Sequence, residues 1–463
     1  MMYYPSKIKR GILLALLMLF AVSALSALTM NLNRPYHDSL SYAPGEPQAV
    51  TIHAVGALDF IFGSDDDLAF HVHSQKRAWN AQWELRSNGF RERLLAGSAE
   101  PEPSGGFMVT IPAHDLAPGF YDLSVTVDFG AGKATFPATF GYSIDSIEST
   151  YHRPDDFLDF WSRIKTEVDA VPLLEEPGPW QIFDRKAIEN YLTSHAFSPA
   201  NPDPEGVRFE KVAAQTVAFA GANGGRVFAQ VAKPPVEGRL PAVLLMPGAG
   251  GWNEHRPFPL EAARHGYLAM DVSIHARGGN SVESDDPRRQ HADFLMLGNA
   301  LQSLRYLRSR PDVDPDQIFV AGMSQGGRLA IVLAALDDQI RAIVPSITHF
   351  ADLPHRRASR GQAPTDGRSA EDYYDVLAFA SEVTTPVFMS AGMVDSVSPV
   401  TGVHHAYRLM PSGDKTFVAM AQIAHFITPE FDRRAWRWIE ERVPPAVGRT
   451  PSAEEARKDD HVK

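Results

Sequence analysis

Ile318-Phe319-Val320-Ala321-Gly322-Met323-Ser324-Gln325-Gly326-Gly327, continued by Arg328-Leu329-Ala330-Ile331-Val332-Leu333, is the stretch that decides the fold. An apolar, β-prone run meets a Gly-x-Ser-x-Gly turn that feeds directly into an apolar helix-forming run, the context a nucleophile elbow requires. Gly322 and Gly326 lack the β-carbons that would clash where strand and helix cross, so Ser324 can hold a strained backbone with its hydroxyl pointing out of the sheet.

Working outward, strand and helix patterns alternate on both sides of the elbow. Val207 to Val231 reads as a hairpin around Gly221-Ala222-Asn223-Gly224-Gly225, Leu240 to Met246 as a buried strand, Leu260 to His265 as a helix and Tyr267 to Val272 as the next strand. Leu297, Leu301, Leu304 and Leu307 mark a helix by their three- and four-residue spacing. After the elbow, strands are expected at Ala342 to Pro345, Pro386 to Ser390 and Phe417 to Met420, with a closing amphipathic helix on Phe431, Ala435, Trp438 and Ile439. This period implies an α/β domain with a mainly parallel, doubly wound sheet covered on both faces. Its start is set by Arg153-Pro154-Asp155-Asp156-Phe157, which opens a helix with one face on Phe157, Phe160, Trp161 and Ile164. Residues 172 to 206, rich in Pro, Asn and Asp, read as a loop with a short helix, either a lid or a subunit contact.

Upstream the period changes to two. Val50-Thr51-Ile52-His53-Ala54-Val55 and Tyr121 to Val127 alternate between turn signals such as Ser104-Gly105-Gly106 and Ala117-Pro118-Gly119, which predicts an antiparallel, immunoglobulin-like all-β sandwich over 31–148. His71 and His73 face one side of a strand but have no third ligand in view, so no metal site is expected. The α/β domain is expected over 150–443 and a charged, disordered tail over 444–463.

At 463 residues the chain is long enough for two domains, and its net charge of −12 argues against a general nucleic-acid binder. With no cysteine, disulfides, thiolate metal sites and a cysteine nucleophile are all excluded. Residues 1–28 read as an export signal: Lys7, Lys9 and Arg10 precede the apolar run Gly11 to Val22, and small residues follow at Ser23, Ala24, Ser26 and Ala27. The expectation is a periplasmic or secreted protein; an uncleaved N-terminal membrane anchor is the alternative, because the apolar segment continues to Leu28.

A serine hydroxyl needs a base, and the base needs an acid to fix its tautomer. Both are expected after Ser324 in chain order, on loops at the carboxyl ends of later strands. Asp395, just past the strand Pro386 to Ser390, is favoured over Asp414 in the turn Pro411-Ser412-Gly413-Asp414-Lys415. His425, after Phe417 to Met420, is the base, whereas His404 and His405 read as packing or surface histidines on a helix. Two backbone donors must hold the developing oxyanion: Gln325 N–H at the start of the elbow helix, and Gly248, with Ala249 next, in Pro247-Gly248-Ala249-Gly250-Gly251. Ala249, His275 and Arg277 are candidates for lining the substrate pocket.

Taken together, Gly322 to Gly327, the preceding Pro311-Asp312-Val313-Asp314-Pro315-Asp316, the later Tyr373 to Ala380, Asp395 with Val397 and Pro399, and Arg153 to Phe157 resemble the acetyl xylan esterase and cephalosporin C deacetylase family of carbohydrate esterases, within the α/β-hydrolase superfamily. The resemblance covers about residues 150 to 443. It implies a cofactor-free serine esterase acting on small acetylated saccharides and related esters, with the triad Ser324, Asp395 and His425 and oxyanion donors Gly248 and Gln325. Family members usually carry Arg-Gly-Gln where this chain has Arg277-Gly278-Gly279, an acid where it has Ala424, and a tyrosine at the position of Gly248, departures that bear on substrate identity. They are often ring-shaped oligomers, so a homo-oligomer is among the expected partners. A broader esterase or serine peptidase on the same scaffold is the first alternative, and a glycan-binding protein with a decayed hydrolase domain the second.

Overall fold

The computed structural model describes residues 50–55, 60–63, 68–103, 105–148, 151–194, 206–249, 258–274, 282–363 and 369–447. The expected export signal, the tail beyond residue 447, and the pocket candidates His275 and Arg277 lie outside the described residues.

In the N-terminal region the described strands are β1 (Val50–Ala54), β2 (Ile61–Phe62), β3 (Leu68–Ser74), β4 (Asn80–Ser87), β5 (Arg93–Ser98), β6 (Glu100–Pro101), β7 (Phe107–Ile111), β8 (Gly119–Asp128) and β9 (Lys133–Tyr142). They form two sheets, ordered β1-β3-β7-β6 and β2-β9-β8-β4-β5. Alternation does the sorting: in β3 the side chains of Leu68, Phe70 and Val72 are buried while those of His71 and His73 are exposed. Between the sheets Phe70 meets Phe62 and Phe140 with ring centroids 5.4 and 5.2 Å apart, the edge and tilted contacts aromatic cores prefer. One pairing departs from the antiparallel expectation. β2 runs parallel to the end of β9, with Gly141 and Ser143 N–H donating to Phe60 and Phe62 carbonyls, so a two-residue strand closes the edge of the sheet.

The second region holds β10 (Glu176–Pro177), β11 (Gln181–Asp184), β12 (Lys211–Ala220), β13 (Arg226–Lys233), β14 (Leu240–Met246), β15 (Leu268–Ser273), β16 (Val313–Met323), β17 (Ala342–Ser346), β18 (Val387–Gly392) and β19 (Lys415–Met420) in one sheet, ordered β10-β12-β13-β15-β14-β16-β17-β18-β19, with β11 also paired to β12. From β15 to β19 every pairing is parallel, whereas β10 to β13 are joined antiparallel at one edge. The sheet is covered by helices including Phe157–Ala170, Phe294–Ser309, Gln325–Leu336, Val400–Leu409 and Pro429–Arg442. The central strands are covered on both faces, as β15 and β18, buried at every position, illustrate.

The segment expected as a loop contributes β10, β11 and the helix Arg185–Ser194, extending the sheet rather than standing free of it. These edge strands are short, mostly exposed and Pro- or acid-containing, so their residues show no period-2 pattern to read. Among the described residues no helix is long and apolar enough to cross a membrane.

Candidate active site

The parallel strands place their carboxyl ends along one rim, and the elbow stands at its centre. Ser324 follows β16 with φ 57° and ψ −116°, a conformation that costs a non-glycine residue about 1–3 kcal/mol and survives only where its surroundings enforce it. The enforcement is visible: Ser324 N–H donates to Ser346 O at 2.9 Å, and Ser324 O accepts from Arg328 and His349 N–H, each at 3.1 Å. A β-carbon on Gly326 would lie 2.1 Å from Met246 O, and one on Gly322 2.6 Å from the Gly326 carbonyl carbon. Only glycine allows helix and strands to approach this closely. One turn on, the buried Arg328 guanidinium pairs with Asp293 at 2.6 Å, donates to Tyr374 O at 3.0 Å and lies over the Phe350 ring at 4.3 Å, fixing the first turn of the helix.

As the first residue of that helix, Gln325 has a backbone N–H with no intrahelical acceptor. Gly248 lies just past the end of β14, and among the described residues the nearest neighbour of a β-carbon built there is Met323 O at 3.7 Å, so this backbone runs beside the elbow without crowding it. Ala249 is exposed at the same rim.

Asp395 follows β18 and is almost fully buried. Its Oδ1 accepts from Val397 and Ser398 N–H at 2.8 and 2.9 Å, while Oδ2 accepts from His425 Nδ1 at 2.7 Å. Occupying Nδ1 in this way makes Nε2 the acceptor nitrogen of a neutral imidazole. The loops carrying the two residues touch: Val394 N–H donates to Ile423 O at 3.1 Å, and a β-carbon on Gly392 would meet Ala424 O at 2.3 Å. Ser324 and His425 are not hydrogen-bonded to each other in this structure, as is common before substrate draws such groups together.

The rival acid is elsewhere. Asp414 precedes β19, at the opposite end of the sheet, and is held by Arg442 at 2.8 and 2.9 Å. His404 and His405 are packing residues: His404 meets Phe120 and Phe417 edge-on and burial pushes it down to about 3, while His405 is bonded through Nδ1 to Asp352. Among the described residues no cluster of three or more His, Cys, Asp or Glu side chains could hold a metal ion.

His349 is the residue that the sequence reading did not single out. It lies past the end of β17, and its N–H holds Ser324 O. Burial first, then Arg356, Arg328 and His425, push it down to about 4, so at neutral pH it is an uncharged ring. The criterion that selects Asp395 and His425, a polar residue beyond the carboxyl end of a strand, selects His349 as well when applied to β17.

Comparison with known proteins bears on the activity. A sequence family described as acetyl xylan esterase matches residues 193–363. The acetyl esterase Axe7A of Xylanibacter ruminicola is 23% identical over 357 residues, 70% of this chain and 75% of that protein. A probable 2-oxo-3-(5-oxofuran-2-ylidene)propanoate lactonase of a Bradyrhizobium species is 32% identical over 181 residues, 38% of this chain and 67% of that one. Among solved structures, the acetyl xylan esterase from Paenibacillus sp. R4 superposes with a TM-score of 0.51 at 18% identity, covering 64% of this chain and 98% of its own, and shares the α/β-hydrolase fold. Acetyl xylan esterase 1 from Thermoanaerobacterium sp. JW/SL YS485 gives 0.50 at 20% identity, over 64% and 96%. Residues 193–363 of the chain thus match the acetyl xylan esterase family, and the chain is a carboxylic ester hydrolase.

Proposed function

We propose that this esterase removes acetyl groups from small acetylated saccharides through a Ser-His-Asp triad and an acyl-enzyme. Ser324 Oγ attacks the ester carbonyl while His425 Nε2 takes its proton, and Asp395 holds His425 in the tautomer that leaves Nε2 basic. The tetrahedral oxyanion is held by Gln325 N–H, aided by the helix dipole, and by Gly248 N–H. Collapse breaks the bond to the sugar oxygen, which leaves with the proton from His425; water then attacks the acetyl-serine and releases acetate. Ala249, His275 and Arg277 are the candidates for lining the substrate pocket.

The observation that carries this reading is the 2.7 Å bond between a buried Asp395 and His425 on touching loops at the rim where Ser324 sits with φ 57°. The names of the relatives support the acetyl specificity. Two facing β-sheets support an immunoglobulin-like accessory domain, and the basic-then-apolar N-terminus supports export. Ser324→Ala should lose p-nitrophenyl acetate turnover by at least about 10³-fold while its melting curve is unchanged; wild-type turnover by the folded variant refutes the nucleophile. Acetate release from acetylated xylo-oligosaccharides, measured beside cephalosporin C, long-chain p-nitrophenyl esters and peptides, tests the substrate class.

A further inference from the structure

The N-terminal sheets are not merely attached to the hydrolase region. Asn88, in the turn after β4, is buried and uses its whole side chain: Nδ2 donates to Asp122 Oδ1 at 2.9 Å, and Oδ1 accepts from Thr401 Oγ1 at 3.1 Å and Thr401 N–H at 3.4 Å. Its carbonyl bonds His355 Nε2 at 3.1 Å. Asp122, on β8, binds Gly89 N–H at 3.0 Å and Thr139 Oγ1 at 2.9 Å, and Thr139 O accepts from Gln422 Nε2 at 3.3 Å. One carboxylate in the β-region thus organises two arms that reach across to the hydrolase region.

The arms end on the chain segments that follow the acid and precede the base. Thr401 stands six positions after Asp395, in the first turn of the helix Val400–Leu409; the N-cap of that helix is Pro399, which has no side-chain acceptor to offer. The first N–H groups of a helix need partners, and here Asn88 supplies one from the other region of the chain. Gln422 stands three positions before His425, buried and with φ 57°, a conformation a glutamine holds only when its neighbours enforce it. A buried polar network of this kind is specific because any missing member strands the others.

We propose that the N-terminal β-region is an intramolecular clamp for the hydrolase, with Asn88, Asp122 and Thr139 as positioning residues that hold the Asp395 loop and the His425 loop in register. The inference rests on the assignment of Asp395 and His425 as the acid and base. None of the three clamp residues touches substrate. Their contribution is to the geometry of the Asp395–His425 pair, where a displacement of about 1 Å can cost up to about 10²-fold in rate.

The test uses the full chain and the variants Asn88→Ala, Thr401→Val, Thr401→Ser and the double Asn88→Ala/Thr401→Val, assayed with p-nitrophenyl acetate well below their melting temperatures. The expected result is a fall in kcat of about tenfold or more for Asn88→Ala and Thr401→Val with KM within about twofold, since chemistry and not binding is disturbed. Thr401→Ser, which keeps the hydroxyl, recovers most of the rate, and the double variant is no worse than Asn88→Ala because both remove one contact. Should Asn88→Ala fail to fold, Thr401→Val carries the comparison alone. Folded Thr401→Val with wild-type kcat overturns the proposal, as does a loss that falls on KM only or one that Thr401→Ser shares in full. Asp395→Asn run in parallel separates the two readings: an inactive Asp395→Asn beside fully active clamp variants sinks the clamp alone, while an active Asp395→Asn sinks the assignment beneath it.

Discussion

Replacing Asp395 by asparagine separates its two jobs. Oδ1 is bound by two backbone N–H groups at 2.8 and 2.9 Å, and the amide oxygen of asparagine can keep both. The amide nitrogen then faces His425 Nδ1 at the position of the present 2.7 Å bond, donor against donor, so the imidazole must move its proton to Nε2. An imidazole protonated there cannot accept the serine proton. The expected loss in kcat is about 10⁴-fold, or about 5 kcal/mol of transition-state stabilisation, with stability changed by no more than about 1 kcal/mol. Asp395→Ala should add a structural penalty, because each orphaned buried N–H costs about 1–3 kcal/mol. The assay is steady-state hydrolysis of p-nitrophenyl acetate beside thermal melting, with Asp414→Asn as the comparator, which disturbs only the pair with Arg442 and keeps wild-type kcat. Asp395→Asn retaining activity within tenfold of wild type refutes the reasoning.

Further outcomes follow from packing and charge. His404 is held near 3, well below its ordinary value, so between about pH 6.5 and 3 the unfolded chain binds the extra proton and stability falls as pH falls; at pH 5 the cost is about 2 kcal/mol, and His404→Phe should flatten the decline in melting temperature below pH 6. Gly326→Ala, whose β-carbon would lie 2.1 Å from Met246 O, should yield little soluble protein, whereas Gly248→Ala, with nothing among the described residues nearer than 3.7 Å, should fold normally, as comparative expression and melting will show. Asp293→Ala strands the buried Arg328 guanidinium and should lower stability by about 3 kcal/mol in urea unfolding.

The parallel half of the sheet was legible because its strands carry apolar runs, and the expected strand Leu240 to Met246 coincides with β14, whereas β16 begins at Val313, ahead of the apolar run from Ile318, through a segment whose acids and proline hid it. Ser324, Asp395 and His425 could be selected because chain order and position past a strand end are both properties of sequence, and the same logic separates Asp395 from Asp414. What escaped lacks a period. β10 and β11 are short exposed edge strands whose pairing to β12 is set by tertiary contact. Asn88, Asp122, Thr139 and Gln422 come from segments scattered along the chain, and nothing in a turn such as Ser87-Asn88-Gly89 announces that its amide will cap a helix more than three hundred residues later. The left-handed backbone of Gln422 is likewise imposed by its surroundings rather than by residue type.

Covalent trapping of the nucleophile tests the account most directly. After inactivation by diisopropyl fluorophosphate, peptide mass spectrometry should find one stoichiometric phosphoryl adduct, on Ser324, appearing in step with the loss of esterase activity. Loss of activity with Ser324 unmodified, or an adduct on another residue that accounts for the inactivation, would contradict it.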